Sequence, residues 1–472
     1  MDPTCSLADA NSFPLRLRPY LTDRVSGERP PQRGIWQAGS VVHARLNSSA
    51  ARDGVIGWRC VEGGKPGRWA TWRDTSAAPP PPTTTCSTEL DCSLNGECRA
   101  GVCVCHGPWA GESCGELLVL PIEPVQGYGM SPNVSAWGGS AVRHGGRWHL
   151  YVTEIIGGCL LEEYATNSQC SHAVSDTPEG PFKFVDSGVG AWCTNPQVVL
   201  QPQGRPLLAL FHIGNGSWNG GGPPQPCHHG HQAGSDLPVA THLGNASGST
   251  LHIADSPAGP WRPAPPPPPC SNPAPFLHSN GTWFLFCDGP FMWRASSVRG
   301  PWAPVEMHFP PMNCVGDCAG VQGAYEDPVL FIDTRARWVS TTACKRPASL
   351  GCLTPVALLQ HILWHVYNST EPCGSCLPEN APLSGHWFSA TGHTWNVSDT
   401  QPYSNVVHTT DGKQLRLSTR ERPKLMFDDS GEITHLITGV CPQHSCAPTA
   451  AVNCKMTAWD FMMVQPLGVK GK

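Results

Sequence analysis

The sequence predicts an all-β chain: a five-bladed β-propeller, preceded by a disulfide-rich module and, before that, a small N-terminal β module. Three observations carry this. Gly (50) and Pro (49) make up about a fifth of the 472 residues, against a usual share of roughly 12%, and neither is tolerated in helix interiors. Six cysteines crowd residues 86–114. One strand-and-turn pattern recurs through residues 119–467, which is the mark of a repeat architecture.

Residues 1–78 form a first region. Ser40-Val41-Val42, Val55 to Cys60 and Pro66-Gly67-Arg68-Trp69 read as short strands with turns, placing a β module at about 39–72. The run Ile56-Gly57-Trp58 … Pro66-Gly67-Arg68-Trp69 resembles a small β-rich module found at the ends of viral and phage fibre-type proteins, and it implies no activity. Residues 79–85, prolines followed by threonines, read as a stiff extended linker.

Next come Cys86, Cys92, Cys98, Cys103, Cys105 and Cys114, with five, five, four, one and eight residues between them. Spacing alone leaves fifteen pairings open. A unit this small has almost no apolar core, so crosslinks must hold it. The spacing resembles an epidermal-growth-factor-like (EGF-like) module of the tenascin type. The resemblance implies the pairs Cys86–Cys98, Cys92–Cys103 and Cys105–Cys114. No Asp/Asn-Glu calcium signature precedes Cys86, so no metal is expected there. Two roles fit: a rigid spacer, or a surface for extracellular protein partners.

In all, 23 cysteines are far too many for a reducing cytosol. Seven N-glycosylation sequons agree, at Asn47, Asn133, Asn215, Asn245, Asn280, Asn368 and Asn396. The expected location is therefore secreted or cell-surface. Met1-Asp2-Pro3-Thr4 lacks a basic-then-apolar signal segment, and we expect the gene prediction to have missed the true start. No run of eighteen apolar residues exists, so no membrane span is expected. Residues 353–367 are too short and are broken by Gln360, His361 and His365. With 14% charged residues and a net charge of -5, the chain lacks the basic face that nucleic-acid binding needs. Local disulfides are expected at Cys159–Cys170, Cys314–Cys318, Cys373–Cys376 and Cys441–Cys446.

The propeller is read from two recurring segments. One is a strand bearing Ala or Ser, a tight turn and an aromatic: His172 to Phe182, His252 to Trp261, Trp293 to Trp302 and, degraded, Trp387 to Trp395. The other is an X-Pro step leading into an apolar hairpin: Asn195-Pro196, Asn272-Pro273, Asp327-Pro328 and Arg422-Pro423, with a Pro-less copy at Gly138-Gly139. Five units of four strands, each exposing an apolar face, bury those faces when packed radially.

Residues 339–360 interrupt the fourth unit and fit no blade. Val codons begin with GT and one Gln codon is CAG, the letters that bound a spliceosomal intron. A retained intron is therefore expected, whose removal joins Trp338 to His361; a genuine loop insertion is the alternative.

The propeller resembles the five-bladed glycosidases of the arabinanase and β-xylosidase type (glycoside hydrolase family 43-like). It more closely resembles algal and protist proteins that join an EGF-like module to a propeller. The most specific segments are Tyr325-Glu326-Asp327-Pro328, Ser384-Gly385-His386 and Arg420-Glu421-Arg422-Pro423 … His435-Leu436. The resemblance implies that the residue before each Pro points into a sugar-binding funnel at the axis. Glycoside cleavage wants two carboxyl groups flanking the bond, and Glu154, Glu326, Asp327 and Glu421 are the candidates. Asn195, Asn272, Arg420 and Arg422 are expected to hydrogen-bond hydroxyls, Trp137 to stack on a sugar face, and His386 to sit in the funnel. The family pattern breaks at Trp137-Gly138-Gly139, where the resemblance implies an Asp base. His228-His229-Gly230-His231 lies in a Gly/Pro-rich insertion, 215–248, and reads as a solvated loop; neither metal nor cofactor is expected. Two functions fit the residues: recognition of a matrix or cell-wall glycan with paired-carboxylate hydrolysis, and non-enzymatic extracellular binding of glycan or protein.

Overall fold

The computed structural model describes residues 41–43, 55–62, 68–73, 86–124, 126–130, 134–161, 164–191, 193–201, 204, 206–214, 249–288, 291–309, 325–332, 359–366, 383–442 and 460–468. The chain divides into two compact units, Met1–Thr85 and Cys86–Lys472. In the first, β1 (Val41–His43), β2 (Val55–Glu62) and β3 (Arg68–Arg73) form an antiparallel sheet in that order.

The second unit opens with the cysteine module, held by Cys86–Cys98, Cys92–Cys103 and Cys105–Cys114. These are the pairs that the spacing resemblance implied. Its hairpins are β4 (Gly96–Arg99) with β5 (Val102–Cys105), and β6 (Trp109–Ala110) with β7 (Glu116–Leu117).

Five four-stranded sheets follow, so the chain is an all-β five-bladed propeller. Blade 1 holds β8 (Ser135–His144), β9 (Arg147–Ile155), β10 (Ser168–Ser175) and β11 (Lys183–Ala191). Blade 2 holds β12 (Thr194–Leu200), β13 (Leu208–Ile213), β14 (Ser249–Ala254) and β15 (Arg262–Pro263). Blade 3 holds β16 (Ala274–Leu277), β17 (Trp283–Cys287), β18 (Phe291–Ala295) and β19 (Ala303–Val305). Blade 4 holds β20 (Tyr325–Ile332), β21 (Gln360–Val366), β22 (Ser384–Ser389) and β23 (Asn396–Val397). Blade 5 holds β24 (Val406–His408), β25 (Gln414–Phe427), β26 (Ile433–Pro442) and β27 (Phe461–Pro466). In blade 4, Ile332 pairs with Gln360 and Phe331 with His361. The strand thus begins at Gln360, the last residue of the segment read as an insertion.

The ring is closed by the chain just before blade 1. It meets β27 and the residue after it at two points, with Val119 bridged to Leu467 and Tyr128 to Met462. Leu120 N–H donates to the Pro466 carbonyl (2.9 Å), and Tyr128 and Met462 exchange bonds of 3.0 and 2.8 Å. Gly127 sits at φ +80°, and a Cβ there would lie 1.9 Å from the Met462 carbonyl oxygen. Only glycine lets the latch approach this closely.

The cysteine module is packed onto the propeller. Trp109 is fully buried and stacks on His386 (centroids 5.0 Å apart). Its core runs continuously into Leu363, Leu383 and Tyr403 of the last two blades, and Leu117 N–H donates to the Pro402 carbonyl (2.8 Å).

One disulfide differs from expectation, and another was not foreseen. Cys170 pairs with Cys193, not with Cys159, because the register of β10 brings it beside the start of β12. Cys270 pairs with Cys287. Cys441 is buried. Cys314, Cys318, Cys373, Cys376 and Cys446 lie outside the described residues, as do His228 to His231 and five of the sequons. Asn280 is exposed at a hairpin turn, and Asn396 is half-buried on β23.

Three blades carry a diagonal histidine pair between their second and third strands. His149–His172, His212–His252 and His361–His386 each join by one ring-nitrogen bond of 2.9 to 3.0 Å. Such a bond needs one acceptor nitrogen, so at least one ring of each pair stays neutral. Burial pushes His149 down to about 4 and His212 down to about 3, with the neighbouring imidazole adding to the effect. His252 and His386 are lowered too, mainly by burial.

Two outcomes are expected. Trp109→Ala removes a fully buried indole and should cost about 3–5 kcal/mol. It should lower the melting temperature of the whole second unit; an unchanged propeller melt would mean that the module is only tethered. The unfolded chain protonates its histidines near pH ~6.5, whereas His149 and His212 resist down to about 4 and about 3. Between those values the unfolded state binds protons that the native state refuses, so stability falls as pH drops. The urea midpoint should decline from about pH 6.5 downward, with a shallower slope in His212→Gln. An identical slope in the variant would refute the assignment.

Candidate functional site at the propeller axis

Each innermost strand is introduced by a residue in the left-handed region: Gly138 (φ +59°), Asn195 (+52°), Asn272 (+45°), Asp327 (+54°) and Arg422 (+58°). For a side chain other than glycine this conformation costs about 1–3 kcal/mol, and Asn and Asp tolerate it best. In blades 1, 2, 4 and 5 the register shifts at this point. The bulge turns the side chain out of the sheet, and the fivefold arrangement aims all five positions at the axis.

There they meet. Asn195 Nδ2 donates to Asn272 Oδ1 (2.5 Å) and to Asp327 Oδ1 (2.6 Å). Arg422 Nη1 stands 3.6 Å from the same Asp327 oxygen. Gly138 leaves the space that these groups fill: a Cβ would lie 2.3 Å from Asn195 Oδ1 and 2.9 Å from Arg422 Cδ. The absence of an Asp in this stretch of blade 1 therefore has a steric cause.

A sixth member was missed by sequence reasoning. Asp288 follows β17 and accepts from Asn272 Nδ2 (2.5 Å) and from Asp327 N–H (3.2 Å). The Cys270–Cys287 disulfide joins the chain two residues before Asn272 to the residue before Asp288, so it staples the two together. Cys193 stands two residues before Asn195 in the same way. The repeated Cys-x-Asn-Pro, at Cys193-Thr194-Asn195-Pro196 and Cys270-Ser271-Asn272-Pro273, was the signal available in the sequence.

Burial raises the Asp288 carboxyl well above its ordinary value, and the charges of Asp327 and Glu326 raise it further; the bonds from Asn272 and Asp327 N–H only partly oppose this. Both effects favour the protonated form of Asp288. Lys424, also missed, is buried and donates to the Pro328 carbonyl (2.8 Å). Burial lowers its ammonium to about 8, with Asp327 and Asp288 opposing and Arg422 adding to the shift.

The remaining predicted residues separate into those near the axis and those elsewhere. Glu326 is half-buried next to Asp327. Asp327 is 1% exposed, whereas 20% of the Arg422 side chain reaches solvent. Glu421 is buried, opposite Gly439 on β26. Glu154 belongs to a different cluster, accepting from Tyr128 OH (2.8 Å) and Ser171 Oγ (2.7 Å).

Three expectations are corrected. Trp137 is buried among Ile155, Cys159 and Leu161, with Gly439 against its ring, so it offers no face to a sugar. Arg420 is fully buried and donates to Thr438 Oγ1 (3.3 Å), the Ser404 carbonyl (2.9 Å) and Gln465 Oε1 (2.6 Å), under the Tyr403 ring. Burial lowers it to about 10, and it ties blade 5 together. His386 lies on the third strand of blade 4, two strand spacings (about 10 Å) from the innermost strand, and is covered by Trp109.

A cavity of about 660 Å³ lies elsewhere, at the ring-closure seam, lined by Glu123, Gln126, Thr177, Glu179 and several prolines.

No protein-family model matches the chain, and no curated protein matches it. Solved structures similar to it include a thermostable family-43 glycoside hydrolase, 12% identical over 75% of this chain and 96% of its own, with a TM-score of 0.40. The catalytic domain of a GH62 α-L-arabinofuranosidase from Coprinopsis cinerea is 12% identical over 74% of this chain and 98% of its own, with a TM-score of 0.40. A family 117 glycoside hydrolase from Zobellia galactanivorans is 11% identical over 74% and 88%, with a TM-score of 0.39.

Gly138→Ala should cost at least about 1–3 kcal/mol from backbone strain alone, and more from the clash with Asn195. Chemical denaturation measures it. A cost under about 0.5 kcal/mol would show that the axial groups are not packed as described.

Proposed function

We propose that the chain is an extracellular protein whose propeller recognises a glycan at the mouth of its axis. The observation that carries this reading is the convergence of two amides, three carboxyls and a guanidinium from four blades. Asn272, Asp288, Glu326 and Arg422 are half-buried there, and Asn195 and Asp327 brace them from the buried side. Neighbouring hydroxyls of a sugar offer paired donors and acceptors, and planar amide, carboxyl and guanidinium groups match them. The strands, the bulges and the Cys270–Cys287 staple hold the groups in place before a ligand arrives, which lowers the ordering cost of binding.

Five disulfides joining described cysteines support folding in an oxidising compartment. We read the cysteine module as EGF-like in kind and as a scaffold in role, since its Trp109 side is spent on blade 4. Its opposite side, with Leu90, Val102 and Val104 exposed, is where an extracellular protein would meet it.

Hydrolysis is the second reading, and Asp288 favours it. A carboxyl that keeps its proton beside ionised neighbours suits a general acid. Asp327 is a poor partner for it, being buried and engaged by Asn195 and Arg422. Glu326, half-buried on the same strand, is the better base or nucleophile; Glu154 and Glu421 are not needed.

A panel of oligosaccharides and aryl glycosides tests both readings. Asn272→Gly keeps the left-handed backbone and removes only the amide, so it should fold normally and bind at least about tenfold more weakly. Asp288→Asn copies the shape of a protonated carboxyl and should still bind. Aryl-glycoside turnover in the wild type that disappears in Asp288→Asn would establish hydrolysis. Folded wild-type protein that binds no member of the panel would reject the glycan reading.

A further inference from the structure

We infer that Thr153 is a positioning residue of the axial site: its hydroxyl holds the Asn195 backbone and thereby sets which way the Asn195 and Asn272 amides face. This rests on the glycan reading above and extends it to a residue that touches no ligand. At the bulges of blades 2 and 4 the N–H of the left-handed residue leaves the ladder and needs another acceptor. Asn195 N–H donates to Thr153 Oγ1 (3.0 Å), and Asp327 N–H donates to Asp288 Oδ1 (3.2 Å). Thr153 and Asp288 hold the same place in their blades. Thr153 pairs with Trp137, the residue before Gly138. Asp288 N–H donates to the carbonyl of Ser271, the residue before Asn272 (3.0 Å). Each of them serves the blade that follows its own. Ile213 and Gly439 occupy this place in blades 2 and 5 and have no side-chain acceptor.

A covalent staple closes the arrangement. Thr153 is 2% exposed and pairs on its other side with Cys170. The Cys170 disulfide runs to Cys193, two residues before Asn195. The path from Thr153 through Cys170 and Cys193 to Asn195 returns to Thr153 by the hydrogen bond. Both the chain entering Asn195 and its N–H are therefore tied to β9. Chemistry then orients the amides. Asn195 Nδ2 donates to Asn272 Oδ1 and to Asp327 Oδ1, and the reverse orientation would set oxygen against oxygen. With its oxygen taken, Asn272 gives one N–H of Nδ2 to Asp288 Oδ2 (2.5 Å). The second N–H of that group is the one left for an acceptor oxygen of a sugar.

Amide NMR and calorimetry on the full chain test this. Thr153→Val keeps the shape and removes the acceptor, and Thr153→Ser keeps the hydroxyl. Asn195→Gly keeps the left-handed backbone and removes the amide. In Thr153→Val the Asn195 N–H should lose its protection from hydrogen exchange. The Asn272 side-chain amide signals, identified by their loss in Asn272→Gly, should move. Thr153→Ser should match the wild type in both. Calorimetry uses cellohexaose, xylohexaose and 1,5-α-arabinohexaose. Each hexaose that binds should bind Thr153→Val about tenfold more weakly and Thr153→Ser like the wild type. Adding Thr153→Val to Asn195→Gly should cost nothing further, because Thr153 acts through the Asn195 amide. A Thr153 that merely supports packing would weaken binding equally in both backgrounds, and that additivity overturns the inference. Unmoved Asn272 signals or unchanged affinity in Thr153→Val also overturn it. The glycan reading survives either result if Asn272→Gly still weakens binding. If none of the three hexaoses binds, the amide signals decide the inference and the wider panel above decides the glycan reading.

Discussion

Five sheets arranged about an axis make a stable body only if the last is tied to the first, and the tie here is one strand's worth of backbone. The chain before blade 1 is joined to β27 by bonds between Leu120 and Pro466 and between Tyr128 and Met462. It passes close enough that Gly127 has no room for a side chain. The axial site depends on this closure. Gly138, Asn195, Asn272, Asp327 and Arg422 come from five different blades, and none is near another in sequence. An open ring would move Arg422 and Gly138, from the last and first blades, away from each other.

Within the closed ring the axis repeats one backbone solution with four kinds of residue. The left-handed residue costs some free energy each time, and the hydrogen bonds at the centre offset it. Blade 1 supplies glycine and so contributes space rather than a functional group. The other blades supply amide, amide, carboxylate and guanidinium, of which the Asn195 amide and the Arg422 guanidinium meet at Asp327 Oδ1. What remains for chemistry is the half-exposed rim. There the decisive group is Asp288, whose carboxyl is raised well above its ordinary value by desolvation and by the charges of Asp327 and Glu326. A single site thus combines carboxyl, guanidinium and amide groups in fixed relation.

The cysteine module shows how a small crosslinked unit gains a role from its neighbour. Three disulfides hold its own fold, but Trp109 finds its stacking partner in His386 of blade 4. His386 in turn is bonded to His361, which stacks on Phe331 of the innermost strand. A line of stacked rings therefore runs from the module toward the axis. Similar histidine pairs in blades 1 and 2 cross-brace the second and third strands where most propeller positions are aliphatic.

The sequence by itself determined the blade count and the strand pairs, because these follow from local signals. X-Pro steps, Gly turns and apolar hairpins act within one blade, whereas cysteine spacing left fifteen pairings open and only the resemblance implied the three that form. It also pointed to Asn195, Asn272, Asp327 and Arg422, since one repeated position marks all of them. Only the tertiary structure decided what those residues do, because their partners lie across the ring. Asp288 carries no repeat signature and becomes significant only through contact with Asn272 and Asp327. Trp137, Arg420 and His386 looked like ligand-facing groups in the sequence, yet packing buried each of them. Burial depends on which strand a residue occupies and on what covers it, and that information is distributed over the whole closed ring.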